Sequence, residues 1–426
     1  KRLYSYSAAS VCCIYKYFGG LPWFRQETLQ TALGVNVPDS TMSDLTERVV
    51  NAAIHVVRYL RTSARDAVRL LGDDTGAQIL ELKSTMRAER RTGKLVERTG
   101  CHVSCVIAIT SEGHRIVIYR VGIQHTGELL DEILEGRDPQ LPVPLVMGDC
   151  HACNTVTVCR VIYGGCNAHG VRRFKAVKDR YPDEAGYALE RYERIFDHED
   201  HCKRVGLDDD QRLAYHREHS KPLFDEICEH GETLLEEKKI EPNSDIGEAY
   251  GYMINNRVRL SAFLRHPGME LHNNEPERTL RLPVRLRDNA PFFKNAIGAA
   301  WAETIWTVGD TALACGCNLS HYFNALQAHE GDVRANPHLW VPWAYRERLS
   351  ALQGLEIGPA PPPDDDEEAG HETPVNSTCA NSPPATSVPN LRRPAARATG
   401  AGQSRPPPRP VRPTNIEIAL SSNALS

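Results

Sequence analysis

Three acidic residues stand where acids are useful for chemistry. Asp73, in "LLGDDTGAQIL", lies beside an apolar run that reads as a strand; Asp149, in "VPLVMGDC", closes another; and Glu277, in "HNNEPERTLR", opens a helix. An acid at a strand end points into the crevice where open α/β sheets bind ligands. Three converging carboxylates repel one another unless a divalent cation neutralises them. Hard Mg²⁺ prefers carboxylate and phosphate oxygens, and two ions about 4 Å apart stabilise both the entering and the leaving oxygen of a phosphodiester displacement. Because Asp at a strand end also commonly caps a turn, spacing alone leaves both readings open.

The third stretch is dense: two amides (Asn273, Asn274), two glutamates and two arginines (Arg278, Arg281) fall between His272 and Arg281. Arg281 and Arg285 follow Glu277 by four and eight residues, helical spacings that put all three on one face and suit phosphate neutralisation. The asparagines suit a helix cap or hydrogen bonds to DNA. The bland alternative is a capped surface helix with solvated arginines.

A cysteine cluster is the rival signal. "CHAC" at 150 to 153 and "CNAH" at 166 to 169 supply Cys150, Cys153, Cys166 and His169, a spacing within the range of a structural zinc site. Against zinc, Cys150 follows directly on Asp149, and "VTVCRVIYGG" reads as a further strand that a four-ligand knot would distort. Cys166 and His169 then become structural or DNA-proximal residues. "HEDH" at 198 to 201 reads as solvent-facing.

The elements that must position these residues follow from hydrophobic period. Residues 1 to 62 read as helical: "FRQETLQTALG" ends at Gly34, and "PDSTMSDLTERVVNAA" restarts with Ser40 or Thr41 as the N-cap. Two short helices about a Gly-bearing turn give the helix-turn-helix outline, or an ordinary helical hairpin. Over 63 to 178 the period changes to strands: "CHVSCVIAIT" and "HRIVIYRVGI" form a hairpin about "SEG", then come the amphipathic "TGELLDEILEG" and the buried strand "LPVPLVMGDC". Two antiparallel strands, a crossover helix and a buried strand predict an α/β sheet. Residues 179 to 268 read as an all-helical block, with Ile246, Tyr250, Met253 and Val258 near one face of its last helix. The segment 269 to 354 completes the core with further helices. From 355 to 426 the text turns to "PAPPPDDDEEAG" and "SRPPPRPVRP", a composition that predicts a disordered tail.

Composition sets the outer bounds. With 426 residues, 41% of them hydrophobic, the chain can build a sizeable core, and a formal net charge of −5 predicts no polyanion partner from charge alone, so any nucleic-acid surface must be local. No long apolar run or secretory leader is legible, which predicts a soluble, cytoplasmic protein. The absence of an initial Met suggests a fragment or a processed chain. Thirteen scattered cysteines fit reduced thiols, with Cys12, Cys13, Cys228, Cys315 and Cys317 as core residues.

Several motifs in one order resemble a known family. "HNNEPERTLR" resembles the Asn-Asn-x-x-Glu-Arg signature of the bacterial transposases of the insertion sequence 66 family; "GDDT" is similar to their first-acid motif, "CNAHGVRRF" to their Cys-x-Ala-His-x-Arg-Arg-x-Phe element, "LPWFRQETLQ" and "STMSDL" to their upstream helices, and "LWVPW" to their Pro-Trp terminus. The likeness runs from about residue 10 to about 345. It implies a ribonuclease H-like mixed sheet interrupted by an all-helical insertion, with a DDE triad of Asp73, Asp149 and Glu277 holding Mg²⁺ or Mn²⁺. Asp74 stands where the family usually has Glu and is the less favoured ligand. Water or a DNA 3′-hydroxyl then attacks phosphorus at the element's ends, with Asn273, Asn274, Arg278, Arg281, Arg285, Arg172 and Arg173 at the DNA. The partners implied are double-stranded DNA (terminal inverted repeats and target), further copies of the chain, and companion proteins of the same element.

The chain departs from the family pattern at His272, at "CH" after the second acid, at Asn167 where Trp is usual, and at Asp288 where a base is usual. Two rivals follow: a catalytically inactive DNA-binding remnant, with or without zinc, and a resolvase-like nuclease that prefers branched DNA.

Overall fold

The computed structural model describes residues 4–82, 85–88, 93–98 and 100–353. Helices α1 (Tyr6–Tyr17), α2 (Trp23–Ala32) and α3 (Asp39–Ala64) lead into strands β1 (Arg69–Ala77), β2 (Thr85–Ala88), β3 (Leu95–Arg98), β4 (Cys101–Ile109) and β5 (Arg115–Gly122). Helix α4 (Thr126–Leu134) crosses to β6 (Leu145–Gly148) and β7 (Ile162–Gly165). A helical block comprises α5 (Asn167–Val177), α6 (Pro182–Arg204), α7 (Asp209–Tyr215), α8 (Lys221–Glu236), α9 (Asp245–Asn255) and α10 (Arg257–Leu260). Then come α11 (Asn274–Thr279), α12 (Arg281–Asn289), α13 (Ala296–Ala314), α14 (Leu319–Ala328), α15 (Glu330–Ala335) and α16 (Tyr345–Gln353).

The main sheet runs β5-β4-β1-β6-β7, with β2 and β3 a separate hairpin. β4 is antiparallel to both β1 and β5, and β6 is parallel to both β1 and β7. The mixed α/β sheet expected from the hairpin, crossover helix and buried strand is therefore present. Its centre is buried on both sides, as Cys105, Val106, Ile107 and Ala108 of β4 show. Helices α3 and α13 lie on β5, while α4 packs on β1 and β4.

Five local expectations are corrected. The second N-terminal helix is not short: "VVNAAIHVVRYLRTSA" sustains the helical period, so α3 runs for 26 residues with a buried stripe from Met42 to Ala64 that packs against α1, α13 and α14. Its N-cap is Pro38, not Ser40 or Thr41. Of "VTVCRVIYGG" only Ile162–Gly165 forms a strand, because the Tyr163 hydroxyl and the Asp131 carboxylate bind the backbone N–H groups of Val156 and Thr157. Val258 lies beyond the end of α9 at Asn255 and is exposed, whereas Ile246, Tyr250 and Met253 share the buried face. Within "HEDH", Glu199 is buried and paired with Arg212.

Every described cysteine is a free thiol, and Cys12, Cys13, Cys228 and Cys317 are buried while Cys315 is half-buried. No helix among the described residues is long and apolar enough to cross a membrane. The expected tail lies outside the described residues.

Candidate active site

Strand pairing brings the first two acids together. β1 and β6 are parallel neighbours with Arg69 beside Leu145 and Leu71 beside Met147. Carried two residues further, this register sets Asp73 level with Asp149: the second acid follows the end of β6, whereas the first lies in the middle of β1, opposite Cys105 of β4, and not at the strand end expected for it.

The third acid is delivered by a crossing segment pinned from beneath. Asn273 is wholly buried; its side-chain amide donates to the Gly72 carbonyl at 2.8 Å and its backbone N–H to Cys166 Sγ at 3.2 Å. His272 stacks on Phe196 at 5.7 Å and accepts the Asn274 N–H at 3.4 Å. Glu277 follows on α11, which packs against β1 and β4. Asn167, the residue standing where the family has Trp, ties the same segment down by donating to the Leu260 and Leu271 carbonyls at 3.0 and 3.1 Å.

The electrostatics follow from this crowding. Burial pushes Asp73 up to about 7; the Asp74 N–H bond opposes the rise, and the charges of Glu277, Asp149 and Asp74 add to it. Asp149 Oδ1 accepts the His151 N–H at 3.2 Å and the Asn154 side-chain amide. Glu277 forms an ion pair with Arg172 and lies 3.9 Å from His169 Nε2. Its Oε1 is buried and has no hydrogen-bond partner. An orphaned carboxylate oxygen on the segment pinned beside two other acids is a hard donor of the kind Mg²⁺ or Mn²⁺ takes, but the three acids do not gather within 4.8 Å of one another, and Glu277 groups instead with Cys166 and His169.

The basic residues divide by environment. Arg172, Arg173, Arg278, Arg281 and Arg285 are exposed and Asn274 is half-buried. Arg173 lies over the Tyr252 ring at 4.4 Å, and Arg285 donates to the Phe18 carbonyl at 3.1 Å. Asn273, expected at the DNA, is buried and holds the backbone instead. The expected single helix carrying Glu277, Arg281 and Arg285 is broken at Leu280 into α11 and α12, so the spacing argument for one shared face does not hold.

The expected zinc set is not gathered at one point. The 152–154 turn carries Cys153 to His151, 2.9 Å away, and to His125. Cys150 lies against Gly165 and Tyr252. Cys166 and His169 instead group with Glu277, one donor atom from each lying within 4.8 Å of the others. Sequence reasoning missed Asn154, the partner of Asp149; its signal is a lone amide in the loop just after the second acid. It also passed over His102 and His125, which join Asp74.

Residues 1–300 match the family model described as Transposase IS66 family. The chain is also 26% identical over 306 residues to the uncharacterized protein y4hP of Sinorhizobium fredii (strain NBRC 101917 / NGR234), an alignment covering 67% of this chain and 52% of that protein. It thus spans about half the length of this curated relative. With the family model covering well over half of its residues, the chain belongs to the IS66 family of transposases.

Proposed function

We propose that the chain is the catalytic part of a DDE transposase that cuts the ends of a bacterial insertion sequence and joins them to target DNA in the cytoplasm. The observation that carries this reading is the unpartnered, buried Glu277 Oε1 on a segment that Asn273 fastens to the backbone next to Asp73. A mixed sheet with three antiparallel strands followed by two parallel ones supports a ribonuclease H-like core, and the block from α5 to α10 supports an insertion ahead of the glutamate.

Asp73, Asp149 and Glu277 would hold Mg²⁺ or Mn²⁺, which supplies charge neutralisation to the entering and leaving oxygens of the phosphodiester. Arg278 and Arg281, both exposed, would meet the DNA backbone. Arg172 restrains Glu277 by their ion pair and can pass to a phosphate when DNA arrives. Double-stranded element ends and target DNA are the substrates; joining two ends calls for more than one copy of the chain, with companion proteins of the element as further partners.

The test is Mg²⁺- or Mn²⁺-dependent cleavage and strand transfer on linear DNA carrying the element's ends, with companions supplied. Asp73→Asn, Asp149→Asn and Glu277→Gln are each expected to abolish both steps while circular dichroism stays unchanged. Cleavage that survives any of the three removes the triad. A folded unmutated chain that binds DNA yet never cuts it would make this copy a DNA-binding remnant.

A further inference from the structure

On the face of β1 opposite Asp73, a second set of donors comes together. Asp74 Oδ2 accepts from His125 Nδ1 at 3.3 Å and from the Thr126 N–H and hydroxyl, each at 3.4 Å. His102 arrives from β4, two residues from Ser104, the residue paired with Asp74, and so shares that face. Its ring centroid lies 4.2 Å from that of His125. One donor atom each from Asp74, His102 and His125 lie within 4.8 Å of one another, and all three residues are half-buried.

A fourth donor stands beside them. The Cys153 thiol, which contacts His151 Nδ1 at 2.9 Å, lies close enough to His125 to favour its charged form, and the turn carrying it closes on the start of α4 because Gly127 has no side chain: a Cβ there would collide with the Cys153 carbonyl oxygen. Two imidazoles, a thiol and one carboxylate form a borderline-soft set that matches Zn²⁺ and suits Mg²⁺ poorly. Zinc bonds of about 2.0–2.3 Å place tetrahedral donors about 3.3–3.8 Å apart, so Asp74, His102 and His125 need to contract by only about 1 Å, while the Cys153 thiol must turn from His151 to complete the set.

We propose that Asp74, His102, His125 and Cys153 bind one structural Zn²⁺, separate from the hard-cation site across β1. Such an ion would clamp β1, β4 and the start of α4 to the loop that follows Asp149, fixing the second acid from behind. This proposal stands on donor geometry and does not depend on the transposase reading.

The experiment uses the full chain, stripped with a chelator and titrated with Zn²⁺ in excess Mg²⁺. One tight equivalent is expected, with a rise in Tm on loading. His102→Gln and His125→Gln should each weaken binding at least tenfold, whereas Cys166→Ser should not. Co²⁺ in place of Zn²⁺ should show a thiolate charge-transfer band that Cys153→Ser removes. On the unmutated chain, X-ray absorption should give two imidazole nitrogens, one sulfur and one oxygen, a readout that holds even where a variant misfolds. The proposal is overturned by failure to bind Zn²⁺, by binding that persists in His125→Gln but falls in Cys166→Ser, or by a sulfur-free coordination shell.

Discussion

Asn273 shows how a residue type read as a DNA contact serves a different end. Its position beside Glu277 is legible in the sequence; its burial is not, because it depends on β1 passing beneath and offering the Gly72 carbonyl at 2.8 Å. Asn273→Ala would leave that buried carbonyl unpaired, a loss of about 1–3 kcal/mol, and would free the segment that aims Glu277. The expected outcome is a lower denaturation midpoint together with a fall in kcat for cleavage, with DNA affinity nearly unchanged. A fall in DNA affinity alone would return Asn273 to the DNA. An acid closing an apolar run marks a strand end correctly for Asp149 but not for Asp73, because β1 runs on past it to Ala77. The Arg172–Glu277 pair is not legible, because 105 residues separate its members.

At the scale of elements, α13 protects the sheet's edge. β5 is an edge strand, and its outward N–H groups would otherwise invite pairing with another chain. The backbone N–H groups of Val117, Tyr119 and Val121 donate instead to Thr311 Oγ1, Thr307 Oγ1 and Glu303 Oε1, at 3.0, 3.0 and 2.7 Å. The match is geometric: four helical residues rise about 6 Å and two strand residues about 6.7 Å. A polar stripe at i, i+4 and i+8 in an otherwise apolar helix was visible in the sequence; its partner strand, almost two hundred residues away, was not. Thr307→Val keeps the shape and removes the acceptor, so a loss of about 1–3 kcal/mol is expected, read as a lower urea midpoint and faster aggregation. An unchanged midpoint would mean that water replaces the hydroxyl. In the helical block, Glu199 accepts two bonds from Arg212, at 2.8 and 2.9 Å, and one from His216 at 2.8 Å. Burial alone would raise its pKa, but His216, Arg212 and Lys203 outweigh it and hold the carboxyl below its ordinary range. A depressed folded-state pKa stabilises the native state above the unfolded value of about 4.3, and this contribution is lost as pH falls toward the folded value. Glu199→Gln should therefore lower Tm at pH 7, by about 3–5 kcal/mol of stability for a broken buried pair, and should flatten the Tm profile below about pH 4. Parallel acid profiles for the two proteins would show that Glu199 does not drive acid unfolding.

At the scale of the whole molecule, charge sets the problem that the proposed DNA substrate poses. The chain carries 50 Lys and Arg against 55 Asp and Glu, so it repels a polyanion on average, and its three proposed metal-binding acids add to that repulsion where the backbone must approach. Under the proposed function, affinity would come from a few exposed cations around the acids, which makes its salt dependence a count of them. Each phosphate neutralised on duplex DNA contributes a slope of about −0.9 to log Kobs against log salt. If Arg172, Arg173, Arg278 and Arg281 make the contacts, the slope should be about −3.6. The double variant Arg278→Ala and Arg281→Ala should then bring it to about −1.8, weakening binding to element ends and to unrelated duplexes alike, because phosphate contacts carry no sequence information. Fluorescence anisotropy over a salt series, with Ca²⁺ in place of Mg²⁺ to prevent cutting, measures both slopes. An unchanged slope in the double variant would move the DNA to another surface and leave Glu277 facing a substrate that arrives from a different direction.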